Sequence, residues 1–190
     1  MRIDVTKFII YNVIDTCSIW NILSSSVFVE RAENNGCQFC CTKFVIYESL
    51  YKPRKKKKDN DIQLQQKLVT KMSEGKFIEY QISIEDLQDV EVLANRKNLS
   101  KGEISSMVFA KKTRQAFLTD DQGARKLSEN YIGLENTQTT PQLFGWLAFI
   151  GCISEADKEL IIDQHNKMDG LLEKHLNIAY LSALEKRLMV

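Results

Sequence analysis

Histidine and glycine are scarce in this 190-residue chain, with two of the first and eight of the second. A histidine-based metal or acid–base cluster would have too few members, and a glycine-rich phosphate loop has little to be built from. Charge of one sign is lacking as well. Lys plus Arg total 26 and Asp plus Glu 25, for a net charge of +1. That balance excludes a generally basic nucleic-acid coat, though not a local basic patch. Long hydrophobic runs are missing too: the longest, Leu143 to Ile153, is about half of what a bilayer crossing needs. Met1 to Lys7 mixes charges and has no small-residue cleavage pattern, so a secretory leader is not expected.

What remains is ordinary globular composition, 44% hydrophobic and 27% charged, at a length a little above one average domain. The five cysteines (Cys17, Cys37, Cys40, Cys41 and Cys152) are an odd set with no leader before them. A cytoplasmic, reducing setting is expected. Cys37-x-x-Cys40-Cys41 has no second Cys/His pair at zinc-site spacing, so reduced thiols buried in a strand are the better reading. With histidine and glycine so sparse, any chemistry must lean on carboxylates.

Phe8 to Ile14 is a continuous apolar run ending on Asp15, the pattern of a parallel strand covered on both faces. A helix is expected over Ser18–Asn34, closing at Asn35-Gly36, then a short strand over Cys37–Thr42 and a helix over Lys43–Lys52 that Pro53 ends. Lys76–Ile82 reads as a third strand. Ser83-Ile-Glu-Asp86 has capping-box form and opens a helix to about Lys97. Further helices are expected over Ser100–Thr113, Gln122–Asn130 and Pro141–Gly151. Ala116–Asp120 is a fourth strand and Gly133–Gln138 a weak edge strand. From Ser154 the chain reads as two helices broken near Asp169-Gly170. Strands alternating with helices predict an α/β fold, a three-layer sandwich around a mostly parallel sheet of four or five strands. Right-handed crossovers place the strand C-termini along one edge, where open α/β sheets bind ligands.

Two strands end in acid, at Asp15 and at Asp120-Asp121. Glu48 lies on the helix after the second strand, and Glu103 in the first turn of the helix that Ser100 opens. Four or five carboxylates meeting at one edge would repel unless a hard divalent ion such as Mg2+ or Mn2+ neutralised them. Such a site activates water for attack on a phosphodiester. Each acid also has a plainer role open to it. Asp15 can cap the following helix, Ser100-Lys-Gly-Glu103 is itself a capping box, Asp120-Asp121 can be a turn with an N-cap for the next helix, and Glu48 a half-exposed helix residue.

The ordered set Val13-Ile-Asp15-Thr16-Cys17-Ser18, Glu48, Leu99-Ser-Lys-Gly102-Glu103 and Thr119-Asp120-Asp121-x-x-Ala124-Arg125-x-Leu127 resembles PIN-domain nucleases. The match is to a subgroup with a Gly-Glu helix start and an Asp-Asp-x-x-Ala-Arg segment, and it runs from residue 8 to about residue 153. The resemblance implies a PIN-like nuclease domain over 1–153 and metal-dependent RNA cleavage, often as the toxin of a toxin–antitoxin pair of the VapC type. Carried over by position, Asp15, Glu48, Glu103 and Asp120 or Asp121 would hold Mg2+ or Mn2+, with hydroxyls from Thr16, Ser18 and Thr119 beside them. Arg125 would stand near the mouth, touching a phosphate or paired with an acid. RNA rather than DNA as substrate, an antitoxin partner and a homodimer are also implied by the resemblance alone.

Two departures stand out. Residues 154–190 add a helical extension in which Asn166, Leu171, Leu172, Leu176, Ile178, Leu181 and Leu184 mix apolar spacing with charge. Packing on the domain is favoured there over a partner-binding face. Six basic residues, Lys52, Arg54, Lys55, Lys56, Lys57 and Lys58, follow the Glu48 helix, as a solvated loop or as a salt-sensitive grip on RNA phosphates. Core packing is favoured over base stacking for Tyr47 and Tyr51. A dehalogenase-type phosphatase would need a carboxylate two residues after Asp15, where Cys17 stands, and a receiver domain would need an acidic pair at the first strand. A catalytically silent PIN-like binding or assembly module is the non-enzymatic alternative.

Overall fold

The computed structural model describes residues 4–53, 58–83, 85, 86, 88 and 99–189. At its centre is a five-stranded, wholly parallel sheet: β1 (Tyr11–Ile14), β2 (Gln38–Thr42), β3 (Phe77–Tyr80), β4 (Ala116–Leu118) and β5 (Thr137–Gln138). The spatial order is β3-β2-β1-β4-β5, with Val13 of β1 in register with Cys40 on one side and Phe117 on the other. The chain thus builds outward from β1 in one direction, then returns to build outward on the other side.

Among the described residues nine α-helices flank the sheet. They are α1 (Thr16–Leu23), α2 (Ser26–Asn34), α3 (Lys43–Ile46), α4 (Asp59–Ser73), α5 (Lys101–Thr113), α6 (Gln122–Tyr131), α7 (Thr140–Phe149), α8 (Glu155–Lys167) and α9 (Glu173–Arg187). The three layers follow from the two-residue period of a strand. Ile14, Phe39 and Leu118 enter one buried cluster, while Val13, Cys40 and Phe117 enter another on the opposite face. This is the α/β/α sandwich with a parallel sheet expected from the alternating pattern.

The first cluster also takes in Phe28, Phe144 and, from the C-terminal helices, Ile161, Leu176, Ala179 and Ala183. Gly145 of α7 permits that packing, because a Cβ there would stand 2.4 Å from Val5 Cγ1 and 3.2 Å from Ala179 Cβ. Leu171, Ile178 and Leu181 face solvent, whereas Leu172 and Leu184 lie against the core. The extension is therefore apolar inside and partly apolar outside. No described helix is long and apolar enough to cross a membrane.

Several elements differ from the pattern reading. The expected helix over Ser18–Asn34 is two helices, because the Ser25 hydroxyl accepts the Phe28 N–H and starts α2 afresh. Helix α4 fills a stretch whose residue pattern predicts no element. The helix after β2 begins as α3 but continues as a π turn over Tyr47–Tyr51, closed by the Lys52 N–H on the Tyr47 carbonyl at 2.7 Å. The expected edge strand over Gly133–Gln138 is a 3-10 turn at Leu134–Asn136 followed by the two residues of β5. Ser83 and Asp86 exchange the two capping-box bonds, and the greater part of the helix expected after them lies outside the described residues. All five cysteines are free thiols; Cys37, Cys40 and Cys41 are buried.

Candidate functional site

The direction of building reverses between β1 and β4, and the cleft outside the C-terminal ends of those two strands is where open α/β sheets take ligands. Asp15 stands there, the first residue after β1. It is 1% exposed, and its Oδ1 accepts the Ser18 N–H at 2.8 Å as the N-cap of α1. Its Oδ2 accepts the Thr119 hydroxyl at 2.5 Å. Burial pushes the Asp15 carboxyl up to about 7, against the lowering effect of those bonds and with a further push from the charge of Asp120. Asp15 therefore caps α1 and also lies within electrostatic reach of Asp120. Nearby, the buried Ser18 Oγ makes no hydrogen bond.

The neighbouring strand β4 delivers Thr119, Asp120 and Asp121. Thr119 Oγ1 gives its proton to Asp15 and accepts the Asp121 N–H at 3.2 Å, so one hydroxyl ties the two strand ends together. The paired aspartates divide the work. Asp120 receives the Asn21 amide at 2.8 Å, the Thr140 N–H at 2.9 Å and the Thr140 hydroxyl at 2.5 Å. Asp121 caps α6, its Oδ1 accepting the Ala124 N–H at 2.7 Å. Asp120 bears electrostatically on Asp15, and Asp121 on Glu103.

The third wall is α5. Its small residues Ser105 and Ser106 let it lie close to the sheet, with the Ser105 and Thr42 hydroxyls 2.7 Å apart and the Ser106 hydroxyl reaching the Ile14 carbonyl at 3.4 Å. Glu103 and Ser100 form the reciprocal capping box, with the Ser100 N–H 2.7 Å from Glu103 Oε2. The Glu103 carboxyl is raised from its ordinary value by burial, then by the charges of Asp121 and Glu48, against the Ser100 bonds. Glu48, on the π turn, leans over Gly102: its Oε1 accepts the Gly102 N–H at 3.3 Å, and its Oε2 lies 3.4 Å from the hydroxyls of Thr16 and Ser100. A Cβ on residue 102 would stand 2.4 Å from Glu48 Oε2, so glycine is what admits this carboxylate. The Cys17 thiol, pushed up to about 12 by desolvation, also feels Asp15, Asp120, Asp121 and Glu103 together.

The acids therefore come from two strand-to-helix junctions, the first turn of α5 and the π turn. None of the five acids is ion-paired with a described lysine or arginine. All the side-chain donors are oxygens, the set that hard divalent cations prefer. Asp15, buried with no described cation beside it, and the buried Ser18 hydroxyl, which makes no hydrogen bond, fit such an ion. As the side chains stand, no three His, Cys, Asp or Glu among the described residues converge tightly enough to share one. Each carboxylate is turned instead to a local N–H or hydroxyl.

Not every expected residue joins the cluster. Arg125 lies 3.9 Å from Glu129 and lines a separate groove with Lys7 and Gln142, so of its two expected roles the geometry matches pairing with an acid. Lys58 pairs with Asp169 at 3.1 Å. Lys52 is exposed and shares a groove with Glu48 and Ser100. Arg54, Lys55, Lys56 and Lys57 lie outside the described residues. Tyr47 and Tyr51, for which core packing was favoured, are instead 52% and 69% exposed. Asn21 and Thr140, which hold Asp120, had no reading as site residues; their signal is faint, an amide one turn after Ser18 and a threonine beside the Thr139 cap of α7.

No protein-family model matches the chain, and a search of curated proteins finds no match.

Proposed function

We propose that this chain is a divalent-metal-dependent ribonuclease of PIN-like type, hydrolysing RNA phosphodiester bonds at the β1/β4 cleft. One observation carries the reading: a buried, unpaired carboxylate, Asp15, at the point where the sheet reverses direction, with Asp121, Glu103 and Glu48 gathered around the same strand ends. Asp15, Glu48, Glu103 and Asp121 are the groups that would hold Mg2+ or Mn2+, with Asp120 braced by Asn21 and Thr140 behind them. A bound divalent ion supplies a hydroxide nucleophile near neutral pH and offsets charge on the scissile phosphate.

The chain's own groups do the rest. Thr119 fixes the face Asp15 presents, and the Ser100 N–H does the same for Glu103. Gly102 leaves room for Glu48 to approach. The walls of β1, β4 and α5 exclude water from Asp15, which strengthens every charge interaction there. RNA as substrate rests on the resemblance of the ordered motifs, as do an antitoxin partner and a homodimer, while a cytoplasmic setting rests on the odd set of free cysteines.

The test is Asp15→Asn, which keeps the shape and the capping oxygen while removing the charge. Loss of cleavage with an unchanged melting profile at low pH is the expected outcome. Cleavage at the wild-type rate sinks the proposal. A second reading, a catalytically silent RNA-binding module, is favoured by one observation: both Asp120 oxygens are already engaged by Asn21 and Thr140. RNA binding without cleavage under any divalent ion would select it.

A further inference from the structure

The π turn opens a groove of about 670 Å³ beside the acid cluster, and the two share Glu48 and Ser100 as a common wall. Tyr47 and Tyr51 stand four residues apart on that turn, both exposed, and Phe44 lines the groove half-buried. Among the described residues no other ring stacks on either tyrosine. Lys43, Lys52 and Lys101 line the same groove and are exposed, while Glu79 is its one described acid apart from Glu48. Two exposed aromatic side chains on one turn, with three lysines lining the same groove, form a surface of a particular chemistry. They match one ligand well: bases offer π faces to the rings and phosphates offer charge to the lysines.

We infer that this groove binds unpaired RNA, with successive bases stacked on Tyr47 and Tyr51 and the backbone held by Lys43, Lys52 and Lys101. The inference rests on the proposed reading of the acid cluster as the RNA-cleaving centre, into which the groove leads by way of Glu48. A base can reach a tyrosine ring only when it is out of a duplex, so the groove selects single strands and ignores base identity. The π turn sets the pair up by carrying Tyr47 and Tyr51 round to one side while Glu48, between them in sequence, is turned to Gly102.

The experiment is fluorescence anisotropy in EDTA, which keeps binding apart from cleavage. The probes are a labelled single-stranded RNA of about 12 nucleotides and the same strand in a duplex. Wild type, Tyr47→Leu, Tyr51→Leu, the corresponding Phe variants and Lys43→Gln/Lys101→Gln are compared across salt. Expected are preferential binding of the single strand, a loss of about tenfold or more for each Leu variant, and near-full retention in the Phe variants. The double lysine variant should flatten the salt slope by about 0.7 per phosphate contact removed. Equal affinity for duplex, or unchanged affinity in both Leu variants, overturns the inference. So does a lack of RNA binding at low salt, which would leave the apolar wall to a protein segment. Cleavage assayed separately in Mn2+ reads the acid cluster: wild type that binds but never cuts defeats the nuclease proposal and leaves the groove standing.

Discussion

Gly102→Ala is a small change with a large expected consequence. The added methyl would lie 2.4 Å from Glu48 Oε2 and 2.9 Å from its Cδ, where ordinary contact begins near 3.4 Å. The carboxylate must therefore retreat by roughly 1 Å, and displacement of that size at a reacting centre can cost about 100-fold in rate. Folding should hardly notice. Glu48 is a flexible side chain with solvent beside it, the bonds it would lose are long, and alanine is favoured over glycine in a helix by about 0.5–1 kcal/mol. A change below about 1 kcal/mol moves the melting temperature of a chain this size by less than about 4 °C. The assay is single-turnover cleavage of labelled RNA in Mn2+, with Glu48→Gln run beside it and thermal melts of both. A folded Gly102→Ala protein that cleaves as slowly as Glu48→Gln is the expected result. Wild-type cleavage in Gly102→Ala would refute the reasoning, since Glu48 would then have no part in the site.

Three further outcomes follow from the burial of Asp15 and from the core. The folded protein holds the Asp15 carboxyl at about 7 against 3.8 for an ordinary aspartate, so it prefers the protonated form. In EDTA its contribution to stability should be complete below about pH 4 and fade as pH rises to about 7, a change of up to ~4 kcal/mol, and Asp15→Asn should abolish the dependence. Urea titrations across pH check this. Near pH 7.5, Mn2+ at about a hundred times its dissociation constant should raise the melting temperature of wild type by roughly 5–10 °C and that of Asp15→Asn far less. Leu176→Ala, in the buried contact between α9 and the first core cluster, should cost about 2–5 kcal/mol by urea unfolding; a cost near zero would mean that the extension is not part of the core.

The fold was readable where residue pattern alone decides structure. The run Phe8–Ile14 holds a strand, though only its second half, Tyr11–Ile14, pairs in the sheet, and Ser100-Lys-Gly-Glu103 forms the expected cap bond for bond. The sheet order was not readable, because it depends on which crossovers pack, yet the acids at two strand ends already required β1 and β4 to adjoin for a common site. Helix α4 escaped notice because only Leu64 and Leu68 of its fifteen residues are buried, leaving little apolar period to detect. Tyr47 and Tyr51 misled for a related reason: helical spacing is the same on a covered face and on an open one. The sequence offers no choice between Asp120 and Asp121 as a ligand; the fold separates them by bringing Asn21 and Thr140 against Asp120 from α1 and α7. Bonds of that kind join residues too far apart in the chain to leave a local pattern.

The most direct test of the acid cluster is cleavage of single-stranded RNA, structured RNA and matched DNA by wild type and Asp15→Asn, with Mn2+, Mg2+ or EDTA. RNA cutting that needs the divalent ion and disappears in Asp15→Asn is the expected result. Cutting that survives EDTA, or that Asp15→Asn performs as fast as wild type, would contradict a carboxylate-held metal as the seat of the chemistry.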